Sequence, residues 1–116
     1  MLLPQQHSRR FPRVHSEHAV RLRILGERRP EALSLTRVIG LGGCMLVSDQ
    51  SIGFGSLMEL TISLDGRVLR ADGRVAWERR KGSNEHEVGV EFLRLNRADR
   101  VALEQVVASK LDSSAA

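Results

Sequence analysis

The chain has few aromatic residues and one cysteine, and each shortage argues against a class of protein. Aromatic side chains make up 3% of the sequence. This speaks against a binder of single-stranded nucleic acid, because such proteins stack bases on aromatic rings. Cys44, the single cysteine, excludes an internal disulfide and fits a reducing cytoplasm. Its apolar context is typical of a small buried side chain rather than a nucleophile.

Long apolar runs and catalytic patterns are also missing. No run approaches the roughly 20 residues that a membrane-spanning helix needs. No Ser/His/Asp set or pair of carboxylates occurs at a catalytic spacing, and His18 and His86 lack the spacing of metal ligands. Gly40, Gly42 and Gly43 are not followed by the Lys-Ser/Thr of a phosphate-binding loop. The sequence therefore predicts a cytoplasmic protein that is not an enzyme and has no membrane span, metal or cofactor.

Size and charge set the remaining limits. A length of 116 residues corresponds to one domain, and a hydrophobic content of 41% is enough for a core. The net charge of +4 is supplied almost entirely by arginine, since Lys81 and Lys110 are the only lysines. This charge favours an anionic partner, although only weakly.

The middle of the chain alternates apolar and polar residues with the period of a β-strand. In one segment Met58, Leu60 and Ile62 alternate with polar neighbours, which places one side in a core. Asp65-Gly66 favours a tight hairpin turn. The patterns predict strands over 20–24, 32–39, 44–48, 56–64, 67–77 and 88–92. Strands at this spacing indicate a sandwich or a small barrel.

The last part of the chain changes to a helical period. Val101, Leu103, Val106, Val107 and Leu111 recur every three to four residues. A helix is predicted over 96–111, with Asn96 as the N-cap and Asp99 three residues later. Its apolar stripe should dock on the barrel or on a second subunit, which leaves a homo-oligomer open.

An arginine-rich segment precedes the first of these predicted strands. Arg9, Arg10 and Arg13 flank Phe11 and Pro12, and the proline forbids a helix there. Arginine presents a flat fork of donors and stacks on rings, which suits a planar anionic ligand, and guanine offers its N7 and O6 acceptors to such a fork. A basic terminus that only keeps the protein soluble is the alternative from this segment alone.

The order of these features resembles the PilZ domain family over about residues 9 to 110. The shared features are an Arg-x-x-x-Arg arm at Arg9 and Arg13, a glycine-rich strand junction, the Asp65-Gly66 hairpin, the strand Val88–Phe92 and a closing helix. The resemblance implies an all-β dominated fold, a six-stranded antiparallel β-barrel with a C-terminal α-helix. It also implies binding of the bacterial second messenger cyclic di-GMP, which the arm wraps.

The implied organisation is a flexible arginine arm over 1–13, a barrel with its helix over 14–111 and a tail over 112–116. The family's second motif, [Asp/Asn]-x-Ser-x-x-Gly, aligns with Val38, Gly40 and Gly43, and only Gly43 agrees. Val38 and Gly40 are thus degenerate positions. The implied ligand-binding residues are Arg9, Arg10, Arg13, Gly40 and Gly43.

Because the first family motif is intact and the second is degenerate, the sequence is compatible with two functions. The first is a weak cyclic di-GMP receptor that regulates a partner protein in bacterial signalling. The second is a PilZ-like adaptor that has lost the ligand and works through protein contacts, with an apolar strip at Val38, Gly40 and Leu41. An oligonucleotide-binding barrel is a third reading, which the low aromatic content disfavours.

Overall fold

The computed structural model describes residues 12–115 and contains seven strands and one helix over that range. The elements are β1 Arg13–His15, β2 Ala19–Ile24, β3 Ala32–Gly40, β4 Gly43–Ser48, β5 Leu57–Leu64, β6 Arg67–Gly82, β7 Glu85–Leu95 and α1 Arg97–Ala115.

Six of the strands close into an antiparallel barrel. Their order is β3-β2-β5-β6-β7-β4, and β4 pairs again with β3 to complete the ring. Strand β1 lies outside the ring and pairs with the far end of β3, next to the part of β3 that pairs with β2. The six-stranded barrel and the C-terminal helix confirm the predicted fold, while the short strand β1 was not predicted.

Alternation of side chains explains why these segments become barrel strands. In β5, Met58, Leu60, Ile62 and Leu64 are all buried, and the residues between them face outward or are half-buried. The following turn has positive φ at Asp65 (40°) and Gly66 (90°), as a tight hairpin between twisted strands requires. The inward residues of all six strands form one continuous core.

Strands β6 and β7 extend beyond their predicted ends. The predicted strand stopped at Trp77, whereas β6 continues through Gly82. Its last residues, 79–82, are exposed on both sides and therefore carry no alternation that a sequence pattern could detect. The pairing of β6 with β7 shifts register after Asp72, Val75 and Arg80, and irregularities of this kind bend and twist a strand.

Helix α1 begins at the predicted cap and packs on the barrel. The side-chain oxygen of Asn96 accepts a hydrogen bond from Asp99 N at 2.8 Å. The Asp99 carboxylate does not complete a capping box by accepting a hydrogen bond from Asn96 N. It accepts from Arg70 N at 3.2 Å, which ties the first helical turn to β6. Leu103 and Val107 are buried in the core, and the helix continues past Leu111 to Ala115. Within residues 12–115, no helix is long and apolar enough to cross a membrane.

A buried polar network fixes the link between β1 and β2. Thr36 on β3 donates its hydroxyl hydrogen to Ser16 O at 2.7 Å and accepts from His18 N at 2.9 Å. The Ser16 hydroxyl is hydrogen-bonded to the His18 ring nitrogen Nε2, and Ser16 N donates to Arg37 O at 3.0 Å. These bonds hold the link against β3 and so set where β1 lies.

Candidate functional site

Strand β1 brings the end of the arginine arm onto the second motif. Arg13 pairs in register with Gly40, and His15 pairs with Val38. Gly40 in turn pairs with Gly43 across the β3–β4 junction. We call the outer surface formed by these five residues the motif face. Arg13 therefore lies beside the second motif, although the two are distant along the chain.

Gly40 lets the arm backbone cross close to β3. A Cβ atom at this position would lie 2.8 Å from the carbonyl oxygen of Pro12 and 3.4 Å from Cγ of Arg13. The serine that the motif expects here would therefore displace Pro12. Gly40 thus allows Pro12 to lie directly against β3.

Gly43, the one matching motif residue, is required by the barrel itself. A Cβ atom there would lie 2.0 Å from Val90 O and 3.0 Å from the Glu91 Cα. Strand β7 approaches β4 so closely that only glycine fits. Its contribution to ligand binding stays a prediction, because its steric role in the fold explains the residue by itself.

An apolar row leads from Val38 to the single tryptophan. In register across β3, β4, β7 and β6 lie Val38, Met45, Gly89 and Trp77. A Cβ atom at Gly89 would lie 2.0 Å from Nε1 of Trp77, so the indole ring covers this glycine. Trp77 is 40% exposed. Sequence patterns left Trp77 isolated, because only the cross-strand register links it to the motif face.

A carboxylate also borders the motif face, at Glu91. This residue pairs in register with Gly43, and its Oε1 accepts from Nε of Arg74 at 2.9 Å. The sequence pattern alone predicts that Glu91 faces outward, because it alternates with the apolar residues of the strand Val88–Phe92. Its position relative to the motif, however, requires the strand register.

Comparison with known proteins identifies the family. The family model described as PilZ domain matches residues 7–109. The chain belongs to the PilZ domain family. A comparison with curated protein sequences gives no significant match.

Solved structures share this PilZ fold at low sequence identity. MotI/DgrA, the inhibitor of motility from Bacillus subtilis, superposes with a TM-score of 0.76 at 20% identity, over 90% of this chain and 52% of its own. The PilZ domain of YcgR from Escherichia coli, solved with c-di-GMP, gives 0.71 at 14% identity over 91% and 93%. The K. pneumonia MrkH–c-di-GMP complex gives 0.70 at 16% identity over 91% and 52%. This chain thus spans about half the length of MotI and of MrkH.

The remaining arm residues of this PilZ domain lie outside the described part of the chain. Arg9 and Arg10 precede residue 12, so the flexible arm and their part in binding stay predictions. Arg13 is described, and its backbone belongs to β1 with the side chain exposed.

The predicted apolar strip is only partly exposed. Val38 is half-buried on the motif face, but Leu41 packs against the core cluster. On the helix, Val107 is buried and Val106 packs against the core, while Val101 is 44% exposed. The helix stripe is therefore mainly a core contact.

Cys44 is not a reactive thiol, and the side chains of residues 12–115 form no candidate metal site. Cys44 is buried, and burial raises the pKa of its thiol to about 12, so the nucleophilic thiolate does not form at neutral pH. Nδ1 of His86 lies 3.6 Å from Oε2 of Glu78. Across residues 12–115, no three His, Cys, Asp or Glu side chains come together as a candidate metal site.

Proposed function

We propose that this PilZ domain is a cyclic di-GMP receptor that binds its ligand weakly on the motif face and thereby regulates a partner protein in the bacterial cytoplasm, without catalysis. The observation that carries the proposal is the pairing of Arg13 with Gly40 beside Gly43. It brings Arg13, the last residue of the arginine motif, next to the remnant of the second motif.

The chemistry of that surface suits a cyclic dinucleotide. Arg9, Arg10 and Arg13 supply planar forks for phosphate oxygens and for the O6 and N7 acceptors of guanine. The indole of Trp77 offers an exposed aromatic ring at the other end of the apolar row. The YcgR domain and MrkH, both solved with c-di-GMP, share the fold and so support this ligand class.

The two degenerate positions are the reason for weak binding. A carboxylate at position 38 would accept from guanine N1–H and N2–H, and valine cannot. A hydrogen bond to a charged group contributes about 1.5–3 kcal/mol, so its loss weakens affinity by roughly ten- to a hundredfold. Gly40 also lacks the hydroxyl of the family serine, which adds a smaller loss.

Calorimetric titration with cyclic di-GMP tests the proposal. The wild type should bind, and the double variant Arg9→Ala/Arg13→Ala should not. Arg79→Ala is the matched control, because Arg79 lies on the β6–β7 hairpin and pairs with Glu87. Trp77, the only tryptophan, gives a second readout, since a ligand over the motif face should change its fluorescence.

Absence of heat in the wild type would contradict the proposed ligand. A double variant that titrates like the wild type would instead contradict the arm assignment.

An adaptor that binds no ligand is the second candidate, because exposed apolar side chains lie on β3 next to the motif face. Leu33 is 78% exposed and Leu35 is 49% exposed on β3, and Leu35 pairs with the half-buried Val47 on β4. Apolar patches rimmed by charge mark interaction sites. Sedimentation of the wild type and of Leu33→Lys tests one occupant, a second copy of the chain: a dimer that the variant breaks would favour a homo-oligomeric adaptor.

A further inference from the structure

The side of the barrel away from the motif face carries a concavity that the proposed function does not use. It lies over β2, β5 and β6 and has a volume of about 650 Å³. Strands β5 and β6 are each three positions from β4 and β3 round the six-stranded ring, so this surface lies opposite the motif face. A volume of this size suits a small-molecule ligand.

Two arginines converge on this concavity from adjacent strands. Arg21 on β2, Thr61 on β5 and Arg70 on β6 are in register, and all three line the concavity. The two guanidinium groups therefore flank one hydroxyl, on strands that are separated by a single strand. Among residues 12–115, neither guanidinium group makes an ion pair or a side-chain hydrogen bond.

The other arginines beside this concavity, in contrast, each face a carboxylate. Arg23 donates from Nε to Oε1 of Glu59 at 2.9 Å, and Nε of Arg94 lies 4.0 Å from Oδ2 of Asp72. Like charges close together repel unless a counter-charge lies between them. Glu59 and Asp72 already face Arg23 and Arg94. The third lining carboxylate, Glu31, forms no ion pair with Arg21 or Arg70 among residues 12–115, so a dianion would supply the counter-charge that this pair lacks.

The same concavity offers acceptors for hydroxyl groups. Both donors of Arg23 go to Oε1 of Glu59, which leaves Oε2 of Glu59 as an acceptor. Asp72 also lines the concavity, and only its Oδ2 faces Arg94. Carboxylate oxygens accept hydrogen bonds from hydroxyls, so the lining combines a cationic pair with acceptors for a polyol.

We propose that this concavity binds a small sugar phosphate. The phosphate monoester, which carries close to two negative charges at neutral pH, lies between Arg21 and Arg70 and accepts from the hydroxyl of Thr61. The sugar hydroxyls donate to Glu59 and Asp72. This site is separate from the motif face and does not depend on cyclic di-GMP binding.

Calorimetry with glucose 6-phosphate, glucose and inorganic phosphate tests the site on the full chain. Glucose 6-phosphate should bind more tightly than either of its parts. Arg21→Gln and Arg70→Gln should each weaken it by about tenfold or more, because each removes a charged donor pair. Arg79→Gln, the same charge change on the distant hairpin, should leave the affinity unchanged. Amide spectra of each variant check that the fold is kept.

Each outcome decides the proposal. A shift of the Thr61 amide signal on titration, lost in both arginine variants, supports it. No saturable heat with glucose 6-phosphate overturns it, as does an equal loss in Arg79→Gln. Equal affinity for inorganic phosphate overturns the sugar assignment. An Arg21→Gln variant that has lost glucose 6-phosphate but titrates with cyclic di-GMP like the wild type shows that the two sites are distinct.

Discussion

The two sides of the barrel differ in what forms their outer surface. Over β3, β4 and β7, a Cβ atom at Gly40, Gly43 or Gly89 would lie less than 3 Å from an atom of Pro12, Val90 or Trp77 respectively. Over β2, β5 and β6 the outward-facing positions instead carry long charged side chains such as Arg23 and Glu59, which are about half exposed. Substitutions should therefore act through steric exclusion on the motif face and through solvent-screened charge on the opposite face.

The largest effect is expected from Gly43→Ala. The added methyl group would lie 2.0 Å from Val90 O, so β4 and β7 must move apart. Overpacking of this kind costs about 3 kcal/mol in the free energy of unfolding. Urea unfolding followed by circular dichroism measures the loss.

Gly82→Ala is the matched control for this substitution. Gly82 ends β6 at the hairpin, and a Cβ atom there would meet no atom within 4 Å. The alanine should be neutral or stabilise by about 0.5 kcal/mol, because it restricts the unfolded chain. If both variants lose the same stability, steric exclusion at the β4–β7 seam is not the cause.

The second effect concerns a carboxylate that is half-buried rather than fully solvated. Glu78 on β6 is 14% exposed, and its Oε1 accepts from Ile52 N and Gly53 N, both at 2.9 Å, while its Oε2 accepts from the Ser51 hydroxyl. Glu78→Gln replaces one acceptor oxygen by a donor that faces these donors. We expect a loss of about 2 kcal/mol in the free energy of unfolding.

The pH dependence of this contact follows from its pKa. Burial of the carboxyl opposes ionisation, but the hydrogen bonds from Gly53, Ser51 and Ile52 outweigh burial, and the pKa of Glu78 lies below its ordinary value of 4.5. The stabilisation is therefore complete above about pH 4.5 and is lost as the pH falls through the lower folded pKa. The difference in stability between the wild type and Glu78→Gln should shrink in acid. A difference that stays constant down to about pH 2 would contradict the assigned contact.

The fold was predictable because its signals are local. Met58, Leu60 and Ile62 alternate within one strand, and Asn96 lies three residues before the amide that it caps. Strand β1 was not predicted because a strand of three residues is too short to show an alternating pattern in the sequence. Its position depends on Thr36, which is distant in the sequence.

The candidate sites were less predictable because they depend on strand register. The motif residues were named from the family resemblance, but the contact of Pro12 with Gly40 follows from the pairing of β1 with β3. Likewise, Arg21 and Arg70 come together only because both pair with Thr61. A sequence pattern gives the outward face of each strand but not which outward residues of two strands are neighbours.

A third and smaller effect should appear in ligand affinity. Val38→Asp restores the missing acceptor at a half-buried outward position and should tighten cyclic di-GMP binding by about tenfold. Adding Gly40→Ser should give less than the further gain expected from its hydroxyl, because its Cβ atom meets Pro12 O at 2.8 Å. Calorimetry of the single and double variants, with urea unfolding alongside, separates affinity from stability. A double variant that gains the full benefit would show that Pro12 moves freely.

The smallest effect is expected on the opposite face, from the Arg23–Glu59 pair. Both side chains are about half exposed, and the adjacent carboxylate raises the pKa of Arg23 through a hydrogen bond and its charge. Holding two long side chains in one geometry costs entropy, which offsets most of the attraction in water. Arg23→Gln and Glu59→Gln, alone and together, should therefore change the urea midpoint much less than Gly43→Ala or Glu78→Gln. The coupling between them should vanish at about 1 M salt, where charges are screened within about 3 Å. A coupling that survives this salt would mean that the pair is shielded from solvent, and the contrast between the two faces would then rest on sterics alone.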